Sequence, residues 1–424
     1  MVSKLALDGG PRAVPEGAVK TWPPLTQADR DRVLQVFDNN QLHTNAAPFA
    51  QELQTRWAEC CGVRHCLVTN GGTGALHMAI AAAGVQAGDE VITSAYSYWA
   101  TPASILHQNA IPVFVDADPL TGTIDPTQIG DAITENTTAV LPVHIHGMPA
   151  DLDPIIAIAR KHSLAVIGDC CQAHGARYKG KPVGGIEDIA GFSLNRSKNL
   201  SGGEGGLVTT DNDDYFRCLE VIFRFQEVPW AREGEGLFAG LGYNYRPHEL
   251  VNAFVCSQLD RFEEMNGRRR EFAAYLNHSL ADIPGFAGPH VPAYADPCYW
   301  TYMFEVRGRE LGLDLPGRQV RDAVLQALAA EGVPTSASQG DPLPAMSIFQ
   351  HKIGYGKGCP WTCRFGRDVP YRPEDYPGTQ TICDTRAYLG GVYPPNDMAL
   401  MTQYVDAFAK VSENIGRVLE LTKA

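Results

Sequence analysis

The chain has 424 residues, a formal net charge of −13, and 44% apolar and 20% charged residues. That length and balance fit a soluble globular protein of two or three domains. The acidic excess argues against nucleic acid or an anionic membrane as the main partner. The 11 cysteines are odd in number and include the neighbours Cys60-Cys61 and Cys170-Cys171, a poor disulfide framework. The first ten residues hold no apolar stretch of signal-peptide length, and no run approaches the roughly 18 apolar residues of a membrane span. A reducing cytoplasm is the expected location.

In chain order, Pro11, Pro15, Pro23 and Pro24 keep the start extended, and Thr26 to Asn39 has helical spacing. From about residue 63 short apolar runs alternate with helical patterns. Strands are expected at Cys66–Thr69, Glu90–Thr93, Pro112–Val115, Ala139–Val143, Leu164–Gly168 and Leu207–Thr210. Helices are expected at Gly74–Gly84, in the stretch ending near Asn109, and at Leu152–His162. This alternation predicts a mainly parallel sheet with helices on both faces. His248 to Leu280 reads as one long helix; its Arg268-Arg269-Arg270 triplet, flanked by Glu263, Glu264 and Glu271, reads as a solvated face. Beyond it, a strand at Tyr302–Val306 and helices at Arg318–Glu331 and Asn396–Leu421 predict a smaller α+β part. The expected divisions are an arm with helices over 1–60, a large domain over 61–250, and a connecting helix with a small domain over 251–424. Residues 338–395 show little periodicity, and a loop of that length is expected to be functional.

Three elements carry chemistry. Asn70-Gly71-Gly72-Thr73-Gly74 follows a strand and opens a helix, as a phosphate cradle does; turn geometry alone would also place glycines there. Asp169 ends an apolar strand, where open α/β sheets bind ligands. It can pair with a protonated pyridine nitrogen or serve as a helix N-cap, and Gln172 is placed to reach a phenolic oxygen on the same ring. Ser193 precedes Lys198 in a polar bend that runs into Gly202-Gly203-Glu204-Gly205-Gly206. A lysine near a bound phosphate can form a Schiff base with pyridoxal 5′-phosphate (PLP); by itself it is also an ordinary loop lysine. The order of the three elements favours PLP. His144 and His146 either face this site or pack under it. No third ligand stands at metal spacing from them, and Cys359 and Cys363 lack a second pair, so no metal is expected.

With Gly72-Thr73, Gly88-Asp89-Glu90-Val91-Ile92, Val143-His144-Ile145-His146-Gly147, Asp169 with Gln172, Phe192-Ser193, Lys198, the Gly203–Gly206 cluster and Asn244-Tyr245-Arg246, the whole chain resembles the DegT/DnrJ/EryC1/StrS family of sugar aminotransferases. The resemblance implies PLP fold type I, with a seven-stranded, mainly parallel sheet, and a PLP-dependent transaminase. The Asp8-Gly9-Gly10-Pro11 opening, Asp169-Cys170-Cys171-Gln172, Asn195–Lys198 and the Tyr355–Cys363 region are most similar to the branch acting on scyllo-inosose or 2-deoxy-scyllo-inosose with L-glutamine in aminoglycoside pathways. A nucleotide-linked keto-sugar is the rival substrate, and a non-catalytic regulator of the same fold a further rival. A dehydratase is disfavoured, since that branch carries histidine in place of the lysine. The resemblance further implies that Tyr98 stacks on the cofactor ring, with Trp99 leaving the register open. It also implies that Asn244 reaches the phosphate of a neighbouring subunit, so that a homodimer shares its sites. Arg224, His144 and Tyr355 are the candidate substrate contacts; after Arg224 the sequence departs from the family's Arg-His-Gly pattern.

Overall fold

The computed structural model describes residues 4–44, 47–224 and 242–422. Seven strands form the large sheet: β1 (His65–Thr69), β2 (Glu90–Ser94), β3 (Ile111–Val115), β4 (Thr137–Leu141), β5 (Ala165–Asp169), β6 (Ile189–Ser193) and β7 (Gly206–Thr210). Their order is β1-β7-β6-β5-β4-β2-β3, and only β7 runs antiparallel to its neighbours. The expected mainly parallel, seven-stranded α/β sheet is therefore present. β6 was not among the expected strands.

Alternate residues of the central strands enter different cores. Val91, Ala139, Leu141 and Ile167 join one apolar cluster. Ile92, Val140 and Val166 join another with Ile155 and Ala159 of the helix Leu152–Lys161. Because both faces are covered, these strands read as continuous apolar runs rather than as polar–apolar alternation. A second sheet pairs Phe286–Ala287, Tyr302–Val306, Arg386–Leu389 and Thr335–Ala337, all antiparallel. Phe272, Phe286, Phe304 and Phe408 lie in its separate core.

Two expectations need correction. Residues 248–281 form two helices, Glu249–Leu259 and Phe262–Leu280, rather than one. At the corner, Arg261 leaves helical geometry and donates to Thr26 Oγ1 and to the Asp29 carboxylate. Thr26 and Asp29 are the capping box of the helix Gln27–Asp38. The corner is thus fixed by a distant charge, which helical periodicity does not reveal. Residues 338–395 are also not one loop: they include the helix Pro377–Thr385 and the strand Arg386–Leu389, and some of their apolar side chains are packed. Leu343, Phe349, Trp361, Tyr371 and Tyr376 bury against Phe114 and Ile111 of the edge strand β3. Tyr371 donates to Pro112 O at 2.8 Å and accepts from Trp361 Nε1 at 3.0 Å. This segment covers a sheet edge that would otherwise be exposed. Within it Cys359 and Cys363 are joined by a disulfide, a pairing the cysteine pattern did not lead us to expect.

The N-terminal arm is tied down by Glu331, whose carboxylate accepts from Ala6 N (2.7 Å), Ala13 N (3.1 Å) and Lys410 Nζ (2.8 Å) in a buried setting. Removing the cation alone leaves a buried carboxylate without its counter-charge. Lys410→Met is therefore expected to cost about 3 kcal/mol in urea unfolding at neutral pH, while Arg64→Ala, at an exposed pair with Asp213, changes it by less than about 1 kcal/mol. Equal midpoints for the two variants would show that the Glu331 cluster does not anchor the arm.

Candidate active site

Since β1, β5 and β6 run parallel across the sheet, their carboxyl ends share one edge, where open α/β sheets bind ligands. A cavity of about 570 Å³ opens there. On one side the helix α1 (Gly72–Ala82) begins directly after β1, with Gly71 at its N-cap and no side chain capping it. Its first N–H groups and positive dipole end are presented to the cavity. A Cβ on Gly72 would stand 2.6 Å from Ser193 Cβ and 3.2 Å from Cys171 Sγ. Glycine is what lets the helix start approach the end of β6 so closely.

Opposite, Asp169 closes β5 and is 4% exposed. Its Oδ2 accepts from Thr101 Oγ1 at 2.7 Å and its Oδ1 from Cys171 N at 3.1 Å. It is therefore held by a threonine and an amide rather than acting as a side-chain helix cap. Gln172 Oε1 accepts from His146 N at 2.7 Å, which fixes that side chain at the cavity wall. Ser193 and Thr73 also line the cavity. Ser193 Oγ accepts from Asn195 N at 3.3 Å. Tyr98 reaches the cavity with 69% of its surface still exposed, whereas Trp99 packs against Phe349.

Lys198 projects into the same space, its Nζ 3.9 Å from the centroid of the Trp300 ring. Burial pushes its ammonium below the ordinary lysine range, and the Asp169 carboxylate opposes that shift. The Cys171 thiol, pushed well above its usual value by burial, stays protonated and adds no charge. The residues brought together here fit PLP: an uncapped helix start for a phosphate, a buried carboxylate for a ring nitrogen, and a buried amine. Thr101, Cys171 and Trp300 escaped the sequence reading. Thr101 follows Tyr98 by one helical turn, a usable signal; Trp300 comes from the lead-in to the second sheet, with no local pattern to mark it.

The remaining candidates stand elsewhere. His144 is fully buried beneath the site and does not line the cavity, contrary to its assignment as a substrate contact. Its Nδ1 accepts from Ala150 N at 3.0 Å, so its Nε2 carries the proton and donates to Glu187 Oε1 at 2.6 Å. Glu187 Oε2 accepts from Gly184 N and Ile186 N. With Cys170 these two residues place three ligand-type atoms within 4.8 Å of one another. Burial keeps the Cys170 thiol protonated, while His144 and Glu187 are already paired with each other and with backbone amides. Tyr355 is 62% exposed and donates to Leu106 O at 3.3 Å, outside the cavity. Asn244, at φ 56°, accepts from Arg246 Nε at 2.6 Å in a separate concavity with His43 and His248. The side chain of Arg224 lies outside the described residues.

Residues 23–371 match the DegT/DnrJ/EryC1/StrS aminotransferase family. A putative L-glutamine:3-amino-2,3-dideoxy-scyllo-inosose aminotransferase from Streptoalloteichus tenebrarius is 37% identical over 78% of this chain and 79% of its own. GDP-perosamine synthase from Caulobacter vibrioides is 34% identical over 78% and 86%. Among solved structures, DesI in the presence of its TDP-sugar product superposes with a TM-score of 0.83 at 26% identity, over 100% of both chains. The sheet order, the site at its carboxyl edge and these likenesses agree: the chain belongs to the DegT/DnrJ/EryC1/StrS family and is a PLP-dependent aminotransferase of fold type I.

Proposed function

We propose that this enzyme moves an amino group from L-glutamine or glutamate to a keto-cyclitol of the scyllo-inosose or 2-deoxy-scyllo-inosose kind, in aminoglycoside assembly. The observation that carries the reading is the charge of the cavity: among the described residues, Lys198 is the sole basic side chain lining it. A neutral polyol ketone needs no more, whereas a nucleotide's diphosphate calls for cationic partners. The activity named for the Streptoalloteichus relative, and for similar proteins from Streptomyces kanamyceticus and Streptomyces lividus, supports the same substrate class. A nucleotide-linked keto-sugar is the second reading, favoured by the GDP-perosamine synthase likeness. No helix among the described residues is long and apolar enough to cross a membrane; the acidic balance suits a cytoplasmic enzyme of small molecules.

In this mechanism PLP, when bound, supplies the carbonyl that takes up the amino group and the ring that accepts electrons. The uncapped start of α1, with Thr73 and Ser193, holds the phosphate. The Asp169 carboxylate keeps a proton on the ring nitrogen, and Thr101 and the Cys171 amide keep that carboxylate in place. Gln172 orients the ring's oxygen substituent, and Tyr98 covers one face against water. Lys198 Nζ binds the cofactor and, when free, takes the proton from the donor's α-carbon and returns it to the cofactor side. Burial favours its neutral form and so its action as a base. Asn244 belongs to the site of a second subunit, and the enzyme works as a homodimer.

Supplying a keto-cyclitol and a nucleotide-linked ketone separately, each with glutamine, tests the substrate; turnover of the nucleotide sugar alone would replace the cyclitol reading. Lys198→Ala should abolish turnover, and a borohydride-stable link at any other lysine would displace it from its role. Asp169→Asn should retain binding but lose about 3–5 kcal/mol of transition-state stabilisation; a loss below about tenfold, less than one charge-assisted bond is worth, would remove Asp169 from the ring nitrogen. Mixing Lys198→Ala with Asn244→Ala subunits should restore activity, because each heterodimer regains one intact site. A fully active monomer in sedimentation would refute site sharing.

A further inference from the structure

Lys198 is gripped at both ends by tryptophans that come from outside its own loop. Trp22 Nε1 donates to the Lys198 carbonyl at 2.9 Å, while the Trp300 ring lies 3.9 Å from Nζ and its own Nε1 donates to Ser197 O at 2.8 Å. Between them sits Arg269, which is 1% exposed and forms no ion pair among the described residues. Its Cζ lies 4.3 Å from the Trp22 ring and 5.3 Å from the Tyr393 ring. Its Nη1 donates to the carbonyls of Tyr299 and Trp300 at 3.4 Å, and its Nε and Nη2 have no hydrogen-bond partner. A buried guanidinium without a counter-ion is destabilising in itself. The contacts just named fall on the two tryptophan-bearing segments and Tyr393.

We propose that the Trp300 ring is the platform on which the Lys198 amine rests whenever its nitrogen is not bonded to the cofactor, and that Trp22 and Arg269 are positioning residues that hold platform and lysine at a fixed separation. This rests on the role given to Lys198 above. The negative face of an indole attracts an ammonium most strongly where water is excluded. The other groups near Nζ leave that attraction in place: Asp169 is the buried anion, the Cys171 thiol is protonated, and burial pushes His146 and His174 down to about 3, so both are neutral. Glu204 lines the same cavity as an exposed residue. A lysine returned to one place after release has its amine ready for the proton it must move. A free four-carbon stem would lose that readiness to rotamer disorder.

The test uses the full-length enzyme converted to its amine form by an amino donor, in which Lys198 is free. Trace acetylation read by peptide mass spectrometry across pH gives the titration midpoint of Lys198. Trp300→Leu should lower that midpoint by about one pH unit and kcat by about tenfold, with KM within about twofold, whereas Trp300→Phe should keep most of both. Arg269→Met should lower kcat in the wild-type background and add little to Trp300→Leu, as coupled residues do. An unchanged midpoint and kcat in Trp300→Leu, a change in KM alone, or additive losses with Arg269→Met would each overturn the proposal. Borohydride trapping of the cofactor on Lys198 in the wild-type holoenzyme judges the role of Lys198 separately, whatever Trp300 does.

Discussion

The pairing of β1, β7, β6 and β5 decides where each chemical group of the site stands. Gly206 of β7 lies opposite both Thr69 of β1 and Ser193 of β6, and Asp169 of β5 lies opposite Gly191 of β6. The ends of β1 and β6 are thereby held level and the end of β5 stands two residues back, so the helix start, the hydroxyl of Ser193 and the carboxylate of Asp169 line one cavity. A slip of one residue in any of these pairings would turn a side chain to the opposite face of the sheet. The glycines at these points are short of space: a Cβ on Gly206 would stand 2.6 Å from Gly71 O, and one on Gly191 would stand 3.0 Å from Leu76 Cδ2.

Much of this was legible in the sequence because the large sheet is buried on both faces. Its strands stand out as apolar runs, and its turns carry glycine next to polar residues. The same logic concealed β6. Its Ile189-Ala190-Gly191-Phe192-Ser193 has a glycine at the centre, and a glycine in a strand weakens the pattern by which strands are found. In the site, Gly72, Thr73, Tyr98, Asp169, Gln172, Ser193 and Lys198 all line the cavity, since each sits next to a strand end or a helix start that the pattern already marked. His144 also follows a strand end, yet it turns inward to Glu187. Sequence position near the sheet edge does not distinguish an inward from an outward side chain when both environments accept a histidine.

What stayed illegible is tertiary. Trp22 lies 176 residues from Lys198, Arg269 and Trp300 lie on parts of the chain beyond the large sheet, and no spacing rule joins them to Lys198. The Arg268-Arg269-Arg270 triplet shows the limit most clearly. Arg268 pairs with Glu271 on an exposed face, as charge pattern suggests, while Arg269 is buried. Adjacent residues on a helix point about 100° apart, so one triplet contains both a solvated arginine and a buried one. Composition treats them alike.

Burial has two opposite consequences at this site, and the surrounding structure reconciles them. Excluding water lowers the proton affinity of Lys198, which suits the base role proposed for it, but it also raises the cost of any moment when the amine is charged. An indole face and the Asp169 carboxylate offset that cost without fixing the nitrogen as tightly as a direct ion pair would. Both tryptophans depend on parts of the chain outside the large sheet. Trp300 leads into the second sheet, and Trp22 lies on the arm that Glu331 and Lys410 hold down. Under the roles proposed above, the large sheet sets the groups that would hold the cofactor, whereas the second sheet and the arm position the Lys198 amine. On that proposal, loosening either of the latter would leave the start of α1 and Asp169 in place while freeing Lys198, so that binding and proton transfer would be supported by different parts of the fold.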